Sequence, residues 1–264
     1  MAQRRSVALP KVRAWRDPAS DRTIRVELEG FGKQATEGAP NVVANEFVAF
    51  RIGSLMGLPV VPGAPMLVPP SRDVAWVSLA LEGAVDRTPP SARPERIAAE
   101  YPEEAAGTVV FDLLIANHDR HRRNLACRSA GRKHSRLGLF DHDYALWGNS
   151  AGGPREHLEY VGRNFMLQGT SMTGGRLNRH CLLDHVDDHQ KLMAWCDRAA
   201  ELVSDAVIAR ICGEAAELPG PGPDADDARA LQQLLRLRRA SLRDLVNQNI
   251  DEFPSVDTNG RLLT

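Results

Sequence analysis

Apolar and polar positions alternate over residues 12–15 and again over 23–28, on either side of the polar turn Asp17-Pro18-Ala19-Ser20-Asp21, which predicts a β-hairpin. From Asn41 to Met56 the period lengthens. Val43, Phe47, Phe50 and Met56 recur at helical spacing, Ile52 and Leu55 widen the stripe, and Gly57 and Pro59 supply the stop. Residues 66–68 and 75–79 read as two more strands, split by Pro69-Pro70, and residues 83–95, rich in Pro, Ser and Arg, read as a link. Helical periods then dominate at 103–116, 189–203, 205–217 and 225–247. The run Pro219-Gly220-Pro221-Gly222-Pro223 breaks the chain before the last of these. There Asp224 is placed to cap, and Asp226 and Asp227 suit the positive end of the helix dipole. Strands first and helices later make the chain α+β.

One stretch breaks this rhythm. The apolar run Ala105 to Ala116 gives way to a polar segment 117–124. Leu125-Ala126, a polar turn from Ser129 to Ser135, and Leu137-Gly138-Leu139-Phe140 follow, and an acidic loop then opens at Asp141. The order predicts helix, loop, short strand, turn, short strand, acidic loop. Such a hairpin carries Asp141 back beside Asn124.

Composition changes little. The 264 residues, 43% hydrophobic and 25% charged, suit one two-lobed domain or two small ones with ample chain for a core. A formal net charge of −1 gives no global attraction to nucleic acid or to an anionic membrane. Cys127, Cys181, Cys196 and Cys212 form no CxxC pair and read mostly as small apolar packers in a reduced, cytosolic protein. No apolar run is long enough for a signal peptide or a membrane span, so a cytoplasmic location is expected.

The chemistry concentrates in Asn117-His118-Asp119-Arg120-His121-Arg122-Arg123-Asn124 and Asp141-His142-Asp143. An Asp followed five residues later by an Asn, with another Asp beyond a hairpin, is the spacing of a phosphoryl-transfer site. Asp119 is placed to take or orient an acceptor hydroxyl proton. Asn124 and Asp141 offer the oxygen ligands Mg²⁺ prefers, with Asp143 a further candidate. The spacing recurs at Asp112/Asn117 and Asp244/Asn249, but both fall in stretches that read as helix, so it is the scaffold around Asp119 that singles it out. His121 either braces the loop through hydrogen bonds or is solvated. Seven basic side chains lie between 117 and 136; Arg128 to Arg136 read as a solvated hairpin, whereas Arg120 abuts Asp119 and joins it as a catalytic candidate.

These motifs, with Asn45-Glu46-Phe47 opening a helix and Gly57-Leu58-Pro59-Val60-Val61-Pro62 closing it, resemble the HipA-like kinases over roughly residues 23 to 145. These are bacterial members of the protein-kinase-like fold that includes the phosphoinositide lipid kinases. The resemblance implies a two-lobed fold, with a small β-rich lobe carrying one helix (1–85) and a larger helical lobe (86–264). It also implies ATP and Mg²⁺, a protein Ser/Thr acceptor, and Glu46 as helix partner of a phosphate-binding Lys.

That Lys is expected near the end of the strand 23–28, where the chain has Ile24-Arg25-Val26-Glu27-Leu28. Glu27 occupies the place and Arg25 shares its face one pleat back, so Arg25 is expected to face the cleft. Lys33, beyond Gly30-Phe31-Gly32 in what reads as a loop, is the other candidate. Residues 1–22 contain no Gly where the resemblance expects a Gly-rich phosphate loop. A catalytically inactive pseudokinase that binds nucleotide or a partner therefore stands as the alternative. A metal-dependent phosphohydrolase built on the pairs His118-Asp119 and His142-Asp143 is a third reading.

Overall fold

The computed structural model of the chain describes residues 12–16, 24–28, 30–68, 73–79, 92–130, 134–148, 154–163, 167–169 and 178–256. β1 (Val12–Arg16) and β2 (Ile24–Leu28) pair antiparallel with Val12 opposite Leu28, the hairpin the alternation predicts. β3 (Gly30–Gln34), β4 (Gly63–Val68) and β5 (Asp73–Leu79) form an antiparallel sheet in the order β3-β5-β4. The strand β3 corrects the loop expected there. Its glycines are not turn residues: a Cβ on Gly30 would lie 2.7 Å from the Ser78 carbonyl oxygen, so glycine allows the close approach of β3 to β5. Lys33 thereby gains a fixed register opposite Trp76.

Between β3 and β4 runs α1 (Val42–Met56), closed by Gly57 in the left-handed region (φ 79°), whose N–H returns to the Gly53 and Ser54 carbonyls. α1 serves two apolar clusters. Val42 and Val43 pack with Val74 and Trp76 of β5, with Phe47 and Phe50 at the margin. Ala44, Val48, Ala49, Ile52 and Met56 enter the main core. Leu55, expected to widen the stripe, is exposed instead. At about 1.5–3 kcal/mol for each large apolar side chain fully buried, packing on both flanks holds α1 firmly.

α2 (Pro94–Glu100) begins inside the stretch read as a link, started by a Pro in its first turn; residues 83–91 of that link lie outside the described residues. α3 (Pro102–Leu114) is buried from Ala105 onward. It stops two residues earlier than its apolar run suggests, because Ala116 turns left-handed (φ 53°) and Asn117 N–H reaches back to the Asp112 carbonyl at 2.8 Å. A 3₁₀ turn (Arg122–Asn124) then leads into the β6 (Leu125–Ala130) and β7 (His134–Leu139) hairpin, with Leu125 opposite Leu139.

α4 (Pro154–Arg163) and the short pair β8 (Gln168–Gly169) and β9 (Asn178–Arg179) have no counterpart in the sequence reading. α5 (His189–Leu202), α6 (Asp205–Ala216) and α7 (Ala225–Gln248) match it to within a residue at each end. Asp224 caps α7 in a reciprocal box with Asp227. No helix among the described residues is long and apolar enough to cross a membrane.

Candidate active site

The C-terminal end of α3 carries Asp112, with no exposed surface, in the apolar run that ends the helix. Four side-chain donors converge on its carboxylate. Arg120 reaches it twice, Nε to Oδ2 at 2.8 Å and Nη2 to Oδ1 at 3.0 Å. Asn117 Nδ2 donates to Oδ1 at 2.8 Å, and His180 Nε2 lies 2.9 Å from Oδ2. Burial pushes the Asp112 carboxyl up, but the Arg120 charge and the His180 and Arg120 hydrogen bonds prevail and hold it well below the usual carboxylate range. Arg120 spends its remaining nitrogen, Nη1, on the carbonyls of Asn124 (3.0 Å) and Phe140 (2.9 Å). One buried guanidinium thus ties the end of α3 to both halves of the predicted site.

Asp119 stands on the loop so formed, half-buried, its N–H donating to Asn117 Oδ1 at 3.2 Å. Burial raises its carboxyl pKa, and the negative charge of Asp141 adds to the rise against the opposing His121, His118 and Arg120. Asn124 is buried and donates its side-chain amide to the Asp119 carbonyl at 2.9 Å, which turns Oδ1 into the atom left for a ligand. His121 Nε2 lies 3.8 Å from Asp119 Oδ2. That is beyond hydrogen-bond reach, so this contact does not brace the loop, and the ring is partly exposed.

The hairpin returns the chain as expected: Phe140 N–H faces the Asn124 carbonyl at 3.4 Å. On the other flank, Leu139 exchanges backbone hydrogen bonds with Pro59 and Val61, so the segment closing α1 also fixes the end of β7. The next residue but one, Asp141, takes a left-handed φ of 65°, strained for a non-glycine and tolerated best by Asp and Asn. Its neighbour His142 has no exposed surface and packs edge-on to Phe111. His142 grips Glu46 of α1 twice, N–H to Oε1 at 3.1 Å and Nδ1 to Oε2 at 3.0 Å.

Adjacent on α1, Asn45 saturates three backbone groups of the acidic loop. Its Nδ2 donates to the Asp143 (2.8 Å) and Gly148 (3.0 Å) carbonyls, and its Oδ1 accepts from Trp147 N–H at 3.3 Å.

Into this frame β3 projects Lys33. Its Nζ lies 2.5 Å from Glu46 Oε1, 2.7 Å from Asp141 Oδ1 and 2.6 Å from Asp143 Oδ1. Burial lowers the ammonium pKa, but the three carboxylates outweigh it and the net shift is upward, so Lys33 stays charged. Burial alone raises Glu46, yet the His142 contact and the Lys33 charge drive it far down. Asp143 goes the other way: burial, then the Asp141 and Glu46 charges, push it up to about 7 against the pull of Lys33. Carboxylate oxygens of Glu46, Asp141 and Asp143 come within 4.8 Å of one another, an all-oxygen set of the kind a hard divalent cation takes.

Several expectations change. The side chain of Arg25 lies outside the described residues, and it is Lys33, on a strand, that meets Glu46. Arg120 is not available to a substrate: its side chain is sealed in the core with every terminal nitrogen committed. The His-Asp pairs do not assemble a hydrolase centre. The one acidic cluster among the described residues includes no His, His142 is bound to Glu46, and His118 packs against the rings of Tyr144 and His157. Asp112 and His180 were not foreseen as parts of the site, and the motif residues Asn45 and His142 were not given the roles they have here. Asp112 did carry a signal, since a lone Asp inside the run Ala105 to Ala116 must be paired where it is buried.

No family model matches the chain, and no curated protein matches it in sequence. Among solved structures, the proinflammatory kinase CtkA of Helicobacter pylori superposes with a TM-score of 0.53 at 13% identity, covering 86% of this chain and 97% of that one. The HipA of Shewanella oneidensis, in a toxin–antitoxin complex with HipB and operator DNA, aligns with a TM-score of 0.42 at 14% identity, over 78% of this chain and 56% of that one. The first of these gives the chain a kinase-like fold.

Proposed function

We propose that this chain is an ATP- and Mg²⁺-dependent phosphotransferase acting on a Ser or Thr hydroxyl of a protein, with residues 1–85 as the nucleotide-binding lobe and 86–264 as the lobe of the catalytic loop. The observation that carries the reading is Lys33. Its ammonium lies within 2.7 Å of carboxylates from α1 and from the acidic loop, which leaves a charged, oriented phosphate ligand at the mouth of an acidic cluster.

Glu46, kept ionised by His142 and Lys33, fixes the direction of that ammonium. Asp119, whose pKa burial raises, accepts the proton as the acceptor oxygen bonds to the γ-phosphorus and the bond to the departing ADP oxygen breaks. Asn124, Asp141 and Asp143 would hold Mg²⁺; Asp141 and Asp143 fit the ion because, with Glu46, they form three crowded carboxylates around a single ammonium, and a divalent cation would restore the balance. When bound, the ion neutralises charge on the phosphate oxygens.

One observation favours the pseudokinase as a second reading: no glycine occurs in residues 1–22, where the resemblance expects a Gly-rich phosphate loop. A thermal-shift titration with Mg-ATP paired with a phosphotransfer assay separates the two. The phosphotransferase binds Mg-ATP and transfers phosphate, loses transfer in Asp119→Ala, and loses metal-dependent binding or turnover in Asp141→Asn. Binding without transfer makes the chain a pseudokinase, and an Asp141→Asn variant with wild-type activity removes the metal role.

A further inference from the structure

The geometry points to His180 as a positioning residue: through Asp112 and Arg120, docking of the 180–182 segment sets the places of Asp119, Asn124 and Asp141. Leu182 N–H donates to His180 Nδ1 at 3.2 Å. A backbone N–H can only donate, so Nδ1 carries the lone pair, the ring proton sits on Nε2, and Nε2–H donates to Asp112 Oδ2. Burial lowers the pKa of His180 and so favours the neutral ring.

With His180 in place, both oxygens of Asp112 accept two bonds each, Oδ1 from Asn117 and Arg120 and Oδ2 from Arg120 and His180. Without it, Oδ2 loses one of two partners in a dry interior. The same segment grips the loop a second time, since Cys181 N–H donates to the Arg120 carbonyl at 3.0 Å. It is held in turn by His180 N–H on the Leu167 carbonyl at 3.0 Å.

Arg120 passes the constraint on. It follows Asp119 directly, and its Nη1 holds the carbonyl of Asn124 and that of Phe140, the residue before Asp141. All three candidate residues are therefore attached to one guanidinium whose angle is set by Asp112, and the 180–182 segment completes the shell of Asp112.

The rate readout of the test rests on the phosphotransferase reading; the exchange readout does not. In the full chain, His180→Gln can still donate to Asp112 from the end of its side chain, whereas His180→Asn reaches only the Nδ1 position and His180→Ala neither. Asn and Ala are expected to lower kcat about tenfold or more with KM for ATP within about twofold, the pattern of a misplaced catalytic group rather than lost binding. Amide exchange at 117–124 should quicken by about tenfold in both while α6 and α7 keep wild-type protection, and Gln should recover each to within about threefold.

The proposal is overturned if Asn performs as well as Gln, if Ala is indistinguishable from wild type, or if exchange rises equally in α6 and α7. Should His180→Ala fail to fold, the Gln–Asn pair decides. If the wild-type protein transfers no phosphate, the functional reading falls and exchange alone judges the positioning role.

Discussion

Asp112 and the trio Glu46, Asp141 and Asp143 carry their negative charge in opposite ways. Asp112 is wholly buried and wholly answered: one guanidinium, one amide and one imidazole fill its acceptor positions, and its pKa is held low. In the trio Glu46 is buried but Asp141 and Asp143 only partly so, and the charge is under-answered. Three carboxylates share one ammonium, and burial, then the Asp141 and Glu46 charges, push the Asp143 carboxyl up to about 7 against it. A buried charge is tolerated where its partners saturate it. A surplus persists only where the surrounding frame imposes it, here Asn45 of α1, the contact of His142 with Glu46, and the left-handed turn at Asp141. The saturated cluster reads as support. The unsaturated one is where a cation and phosphates would be welcome.

The largest effect should come from breaking the saturated cluster. Asp112→Ala strands the Arg120 guanidinium in the core and is expected to cost about 3–5 kcal/mol in urea unfolding. Asp141→Asn removes a like charge at a φ that Asn accepts, and should leave stability within about 1 kcal/mol. Equal losses in the two variants would erase the distinction between support and site.

The same contrast explains what the sequence made legible. Helical periodicity marked α1 and α5 to α7, the long apolar run marked α3, which is buried from Ala105 onward, and the loop–hairpin–loop order placed Asp119, Asn124 and Asp141 in one neighbourhood. The strand β3 was hidden because Gly30 serves close approach to β5, a tertiary demand that local turn statistics cannot separate from a loop. The role of Arg120 was misread for a related reason: adjacency to Asp119 says nothing of direction, and its side chain points into the core toward a residue eight positions back. His180 lies 68 residues from Asp112, a pairing that no local pattern encodes.

A middle-sized effect tests the frame around the trio. Asn45 donates twice to carbonyls and accepts once from an N–H. Asn45→Asp keeps the shape but turns a carboxylate oxygen toward the Asp143 and Gly148 carbonyls. With two buried acceptors losing their donor, the variant should lose about 2–4 kcal/mol in urea unfolding and weaken the response to Mg-ATP. A variant with wild-type stability would mean that α1 does not hold the acidic loop.

The smallest effect is a pH signature of the surplus itself. Asp143 titrates near about 3.9 in an unfolded chain but near 7 in the native one, through burial first and then the charges of Asp141 and Glu46. Between those values the native form keeps a proton the unfolded form has released, so this group's contribution to stability is full in acid and is lost as pH rises toward 7. Other groups overlap. Glu46 and Asp112 are depressed, so their contributions change only below pH about 4. Asp119, raised, acts with Asp143, while His118, His157 and His180, lowered by burial, act against it. The difference between Asp143→Asn and wild type cancels these and isolates the one carboxyl. That difference should favour the variant increasingly from pH 4 to pH 7, by about 1–2 kcal/mol after allowance for the solvent that still reaches Asp143 and for the nearby ammonium of Lys33. Millimolar Mg²⁺ should shrink it, because a cation on the trio stabilises the ionised form the proton would otherwise suppress. A difference flat across that range, with and without Mg²⁺, would leave the trio as evenly balanced as Asp112 and remove the electrostatic reason to place a cation there.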